Sequence, residues 1–348
     1  MKAVALKDQN VLEVTDVPEP ELQQPDDVIV KVTTAAICGS DVHIKHGELP
    51  GIPPGTIMGH EFVGEIQETG AAVRRFAPGD RVSVPAAVWC GTCASCRRGE
   101  VQYCENGGVW GGGEIFGKGL WGAQTSYVRV PYADVCLTPI PEHVPDEQAV
   151  FVGDVFSTGY HAALEGQIHT SDTVAVFGCG PIGLGAIVSA QQMGPRQILA
   201  VDMYENRLSL AERYGARPIP AGSNGDAVQA IREATGGGGA DVAIEAIGLP
   251  VTFQNALRSV RRGGTVSVVG LFPAPVEFPL NEMAFYGVRM SMGLATLAHM
   301  ERLMGLVASG RVDLAPLATH TFELGDAVEA YDLFENQKDR CLKVLLKP

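Results

Sequence analysis

The chain reads as an α/β protein in two parts: a β-rich, barrel-like half, then a doubly wound parallel sheet. Three observations predict this. Up to about residue 150, short apolar segments are separated by turn signals and few stretches have helical period. From about 150 to 295, apolar strands alternate with helix patterns, as βαβ units require. The last fifty residues hold one more helix and a terminal strand, which can return to the first half. With 348 residues, 46% of them hydrophobic, the chain has room for about two ordinary globular domains.

In order, 28–32 (VIVKV) is a strand, as are 63–66 and 81–84, the last introduced by the turn Pro78-Gly79-Asp80. Residues 173–177 form an apolar strand followed by a helix over 182–193. Residues 197–201 form the next strand, with a helix over 205–214. Strands at 241–245 and 265–269 each follow a helix pattern, and 236–239 is a glycine connection. A helix near 297–309 and a strand at 342–346 complete the chain. The expected domains are 1–152, with a cysteine lobe at about 88–106, then 153–295, with 296–348 rejoining the first.

Net charge is −14 and there is no basic run, which argues against nucleic acid or an anionic membrane as partner. No apolar run approaches the length of a membrane span. The N-terminus, MKAVALKDQN, lacks the apolar stretch of a secretion signal. With scattered cysteines, this predicts a reducing cytoplasm.

Cys90, Cys93, Cys96 and Cys104 form a C-x2-C-x2-C-x7-C loop. Four thiolates from one small loop can surround a single ion, and tetrahedral sulfur suits a closed, structural zinc. A disulfide cluster is opposed by the short gaps, and an iron–sulfur cluster is a further alternative.

Gly178-Cys179-Gly180-Pro181-Ile182-Gly183 is a G-x-G-x-x-G run between a strand and a helix. Gly178 permits the tight turn, Gly180 lets a pyrophosphate approach, and Gly183 lets the helix pack closely. The helix N-terminus offers N–H groups to the phosphates. Asp202 ends the next strand, where a carboxylate accepts ribose hydroxyls and repels a 2′-phosphate, favouring NAD over NADP. Arg207 could meet such a phosphate, but its position suits the adenine or the helix surface better.

Three further ligand types stand apart: Cys38 in ICGSDVH, His60 with Glu61 in GHE, and Asp154 in GDVFSTG. A thiolate, an imidazole and a carboxylate leave room for an exchangeable fourth ligand, as a catalytic zinc needs. Spacing alone does not unite them. Taken with the cysteine lobe and the glycine run, in this order, they make the whole chain resemble the zinc-dependent medium-chain alcohol and polyol dehydrogenases. The resemblance implies a GroES-like catalytic domain, a Rossmann NAD-binding domain, and an active site in the cleft between them. It implies Cys38, His60 and Asp154 as zinc ligands, with Glu61 coordinating or standing nearby. Ser40 would pass on the alcohol proton through the nicotinamide ribose to His43, and Asp41 would orient His60. Thr158, Ile247, Val269 and Leu271 would contact the cofactor. Two Zn2+ per chain, NAD, a small alcohol or carbonyl substrate and a homo-oligomer, a tetramer ahead of a dimer, follow as expectations.

Aspartate at 154, where polyol dehydrogenases often carry glutamate, favours a secondary or medium-chain alcohol, or the matching ketone or aldehyde. A polyol or L-threonine dehydrogenase is the alternative. A catalytically silent cofactor-binding protein is disfavoured because every ligand position is filled. The glycine-rich segment 107–122 carries Trp110, Phe116, Leu120 and Trp121. These aromatics either shape an apolar substrate pocket, with Trp110 as a wall together with Leu294, or cover the cysteine lobe or an interface.

Overall fold

A computed structural model describes residues 1–222 and 226–348. The chain divides into two units, Met1–Asp154 with Thr296–Pro348, and Val155–Ala295.

The first unit begins with an antiparallel hairpin, β1 (Lys2–Asp8) and β2 (Val11–Asp16). The run at 28–32 extends to β3 (Val28–Ala36), which pairs antiparallel with β4 (Glu61–Thr69). Val28, Val30 and Val32 are buried while Lys31 is exposed, as a strand packed on a core demands. Next come β5 (Arg81–Val84), the short pair β6 (Ala87–Val88) and β7 (Gly108–Val109), β8 (Tyr127–Val130) and β9 (Thr138–Pro139).

The second unit is a six-stranded parallel sheet: β10 (Thr173–Phe177), β11 (Gln197–Asp202), β12 (Arg217–Pro220), β13 (Ala240–Glu245), β14 (Val260–Val268) and β15 (Arg289–Met292). Its order is β12-β11-β10-β13-β14-β15. Every residue of β10 is buried, as expected of a central parallel strand covered on both faces. The order reverses between β10 and β13, the topological switch point at which such sheets bind ligands. β12 carries two prolines, tolerable because it is an edge strand.

The chain then returns to the first unit. β16 (Ala318–Glu323) and β17 (Lys343–Lys347) pair in parallel, and β17 adds antiparallel to β3, giving the order β16-β17-β3-β4-β5-β9 with β8 also on β3. Phe62, Ile66, Trp110, Tyr331 and Leu346 share this unit's core, so its two chain segments are packed as one body. The fold is α/β, with a GroES-like β-rich part and a Rossmann-type parallel sheet. Among the described residues no helix is long and apolar enough to cross a membrane.

Several boundaries differ from expectation. The strand expected at 265 begins at Val260, where the ladder to β13 shifts register between Ala240 and Val242. The helix expected from 297 begins at Met300, because His299 has non-helical geometry at its N-cap. The terminal strand runs one residue later than expected, over Lys343–Lys347.

Candidate metal centres and dinucleotide turn

Cys38 follows β3 and caps the helix Gly39–Lys45. Its backbone N–H donates to Asp41 Oδ2 at 2.9 Å, fixing the helix start. His60 and Glu61 open β4, and Ala36 pairs with Glu61 in the ladder, so both motifs reach the same end of the sheet. Gly59 has a φ of +90°, and a Cβ there would lie 2.4 Å from Gln124. Asp154 is anchored through Gly153, whose carbonyl accepts Ala86 N–H at 3.0 Å. Ligand atoms of Cys38, His60, Glu61 and Asp154 consequently lie within 4.8 Å of one another.

The imidazole is oriented. His60 Nδ1 is 3.1 Å from Asp41 Oδ1, at ion-pair distance though not aligned as a hydrogen bond. Nε2 faces inward, 3.6 Å from Asp154 Oδ2 and 3.3 Å from Ser40 Oγ. Gln124 Nε2 reaches Asp41 Oδ2 at 3.4 Å, and Tyr331 donates its hydroxyl to Gln124 Oε1 at 2.9 Å. Cys38 Sγ lies 3.7 Å from Asp154 Oδ2.

Electrostatically the cluster gathers two carboxylates and a thiol around one buried imidazole. Burial raises the Cys38 thiol. Burial also lifts Glu61 to about 7, against the opposing pull of Lys343. Burial works against charge on His60, but Asp41 and Cys38 outweigh it and hold its pKa well above the usual value. Lys343, itself buried, pairs with Glu61 Oε1 and donates to Ile37 O at 3.0 Å. Glu61 Oε2 is buried with no hydrogen-bond partner. That unmatched oxygen, with sulfur, nitrogen and carboxylate donors beside it, fits a divalent zinc, which would favour the deprotonated ligands.

The four lobe cysteines also converge. Cys90 and Cys104 sulfurs are 3.5 Å apart, Cys93 and Cys104 sulfurs 3.9 Å. Tetrahedral Zn–S bonds of about 2.3 Å imply sulfur separations of about 3.8 Å, whereas a disulfide needs about 2.05 Å. Among the described residues no disulfide joins any of the eight cysteines. Backbone N–H groups point at the sulfurs, Cys90 N to Cys104 Sγ at 3.2 Å and Cys93 N to Cys90 Sγ at 3.4 Å, as thiolates require. Burial opposes ionisation of Cys90, but bonds from Asn106 and Thr92 outweigh it and lower its pKa to about 5.

In the second unit, Gly178 has a φ of +93° and Gly180 caps the helix Pro181–Met193. A Cβ on Gly183 would sit 1.7 Å from Gly178 O, so only glycine fits. Around Gly180 the space is open except for Arg207 Nη1, 3.8 Å from where a Cβ would be. Pro181 starts the helix and Ile182 is half-buried beside it. Asp202, buried at the end of β11, accepts N–H bonds from Cys179 at 2.7 Å and Tyr204 at 2.9 Å. The Arg207 guanidinium lies over the Tyr204 ring, 4.8 Å from its centroid. Ile247, after β13, is exposed beside Gly178, while Val269 and Leu271 follow β14 at the same edge of the sheet. Thr158 is half-buried on the helix Val155–Glu165.

Trp110 requires a correction. It is 1% exposed, its indole N–H donates to Pro85 O at 2.8 Å, and its ring meets Phe62 edge-on. It is a core residue, not an open pocket wall. The glycines around it explain why: a Cβ on Gly122 would lie 2.2 Å from Ile57 O, so the segment packs tightly instead of swinging free. Trp121 and Leu294 are exposed. Sequence reading missed Lys343, Gln124, Tyr331 and the buried Glu245, which accepts Gly248 N–H at 2.9 Å. For Lys343 a signal existed: a lone cation between Leu342 and Val344 in an apolar strand implies a buried partner.

Two family descriptions match: the alcohol dehydrogenase GroES-like domain over residues 24–142 and the zinc-binding dehydrogenase over residues 181–309. An alcohol dehydrogenase of Cupriavidus necator is 38% identical, covering 100% of this chain and 99% of that protein. The chain belongs to the zinc-type, medium-chain alcohol dehydrogenase family. Among solved structures of this family, alcohol dehydrogenase TADH from Thermus sp. ATN1 superposes with a TM-score of 0.93 at 40% identity, covering 100% of this chain and 99% of that one. A zinc-binding dehydrogenase from Sinorhizobium meliloti 1021, bound to NADP, gives 0.88 at 31%, covering 100% and 99%.

Proposed function

We propose that this zinc-dependent dehydrogenase uses NAD(H) and acts on apolar secondary or medium-chain alcohols, or on the matching carbonyls. The observation that carries the reading is the convergence of Cys38, His60, Glu61 and Asp154 within 4.8 Å beside the Ser40 hydroxyl. When bound there, zinc supplies Lewis acidity that brings the pKa of an alcohol hydroxyl toward neutrality. NAD supplies the hydride acceptor.

Cys38, His60 and Asp154 would hold the ion, with Glu61, tethered by Lys343, as a further donor. Asp41 orients the imidazole. Ser40 takes the hydroxyl proton, and His43, three residues along the same helix face, carries it onward. Gly180 leaves room for a pyrophosphate, and Asp202 receives the ribose hydroxyls and repels a 2′-phosphate. Ile247, Val269 and Leu271, after β13 and β14, and Thr158 supply further cofactor contacts. A second ion in the cysteine lobe holds that loop together. Thiols in place of disulfides among the described residues support a cytoplasmic setting. A homo-oligomer, tetrameric on the family resemblance, is supported by the edge strand β15, whose Met290 and Met292 are exposed, as is Phe285 on the preceding helix.

The substrate preference rests on Asp154 and on the exposed Trp121 of the same unit. Each polyol hydroxyl left unpaired costs on the order of 1–3 kcal/mol. With NAD, kcat/KM for 2-butanol or cyclohexanol should exceed that for sorbitol, xylitol or L-threonine by about tenfold. The same rates with NADP should be lower. A polyol or threonine favoured tenfold would replace this substrate class, and preference for NADP would refute the role of Asp202.

A further inference from the structure

The first unit carries a second cluster of titratable groups, outside both cysteine-bearing sets. The helix Gly39–Lys45 is capped by His46, and the chain turns so that Glu48 comes back beside it. His43 Nδ1 bonds Glu48 Oε2. The other oxygen, Glu48 Oε1, is 3.7 Å from His46 Nδ1. His46 Nε2 is 2.5 Å from Glu335 Oε1, and Lys45 Nζ is 2.7 Å from Glu335 Oε2. Bases and acids alternate along the path His43, Glu48, His46, Glu335, and Lys45 closes it. Gln9, neutral, steadies the turn by donating to His46 O at 2.8 Å.

An ion-pair staple holding the helix Ala327–Asn336 would be served as well by lysine or arginine. Two imidazoles, each with ring nitrogens that can donate or accept a proton, suit proton transfer instead. Exposure points the same way. Glu48, His46 and His43 side chains are 36%, 31% and 31% exposed, against 20% for Glu335 and 17% for Lys45, so the path meets water along His43, Glu48 and His46 and not at Glu335. The His43 bond holds Glu48 below the usual carboxylate range, leaving it ionised and able to accept.

We propose that Glu48 and His46 extend the proton path beyond His43, carrying the alcohol proton to bulk water, with Glu335 positioning His46. The proposal rests on the dehydrogenase reading. Per turnover the alcohol C–H electron pair leaves as hydride to NAD, and the hydroxyl proton enters the chain at Ser40. His43 gains one proton at Nε2 and gives one from Nδ1 to Glu48. Glu48 returns it to water directly or through His46, so one proton enters and one leaves.

The test uses the full-length, zinc-loaded enzyme with NAD and 2-butanol at neutral pH, in dilute and in concentrated HEPES, a buffer that does not coordinate zinc. Glu48→Gln and His46→Gln should each lose about tenfold or more in turnover in dilute buffer. Concentrated buffer should restore most of it, with KM for NAD unchanged and wild type indifferent. Glu48→Asp should keep most of the dilute-buffer rate. Variants that keep full turnover in dilute buffer, or whose loss ignores buffer concentration, would overturn the relay while the dehydrogenase reading stands. A zinc-loaded wild type that fails to reduce NAD with 2-butanol or any other alcohol supplied would overturn both.

Discussion

Lys343 shows what single residues contribute here. Its ammonium is 1% exposed and sits between Glu61 and Ile37 O, so a full cation is buried beside the metal donors. Such a pair is weak support for stability on its own, but breaking it by removing one partner costs about 3–5 kcal/mol because the other charge is stranded. Lys343→Met should therefore destabilise the metal-free protein by roughly that amount. Zinc should rescue much of the loss, since Glu61 then gains a cation to face. Adding Glu61→Gln to Lys343→Met should restore stability in the metal-free protein. Urea unfolding with and without zinc reads all three, and a single variant as stable as wild type would show that the pair does not hold this end of the sheet.

Elements were legible where their signal is local. Residues 81–84 and 173–177 read as strands from apolar runs bounded by turns, and the structure has β5 and β10 there. β12 and β15 were not read. β12 hides behind two prolines, and β15 is only four residues with three exposed, so neither shows an apolar run. Pairing across the chain is also invisible locally: β17 joins β3 through contacts more than 300 residues apart. The donors Cys38, His60 and Asp154 carried a type signal but no spacing signal, because the sheet and not the sequence interval brings them together. Trp110 misled because an aromatic among glycines looks mobile, whereas those glycines permit close packing. The turn after β10 gives the sharpest test of that principle. Gly183→Ala would put a Cβ 1.7 Å from Gly178 O, a backbone atom that cannot step aside without opening the turn. We expect a fall in thermal stability and at least tenfold weaker NAD binding by calorimetry, with the zinc content of the first unit unchanged. Wild-type NAD affinity would mean that the turn adapts and that close helix packing is not needed there.

On the scale of the whole molecule, the two donor sets predict two ions of unlike lability. The cysteine lobe offers four sulfurs, enough to close a tetrahedral shell. The Cys38, His60, Glu61 and Asp154 set mixes donor types, and one carboxylate is already engaged by Lys343, so its shell stays exchangeable. A mild chelator should remove this ion first and abolish activity while circular dichroism stays native. Cys93→Ser should do the reverse. Its loss acts on folding, because ligand binding that exists only in the folded state is folding free energy. That variant should unfold at a lower temperature and retain one zinc. Metal analysis paired with activity along a chelator titration separates the two sites. A fully active protein with a single zinc per chain would show that one of these donor sets does not hold an ion. Loss of both ions in one step, together with the fold, would show that the sites are not independent.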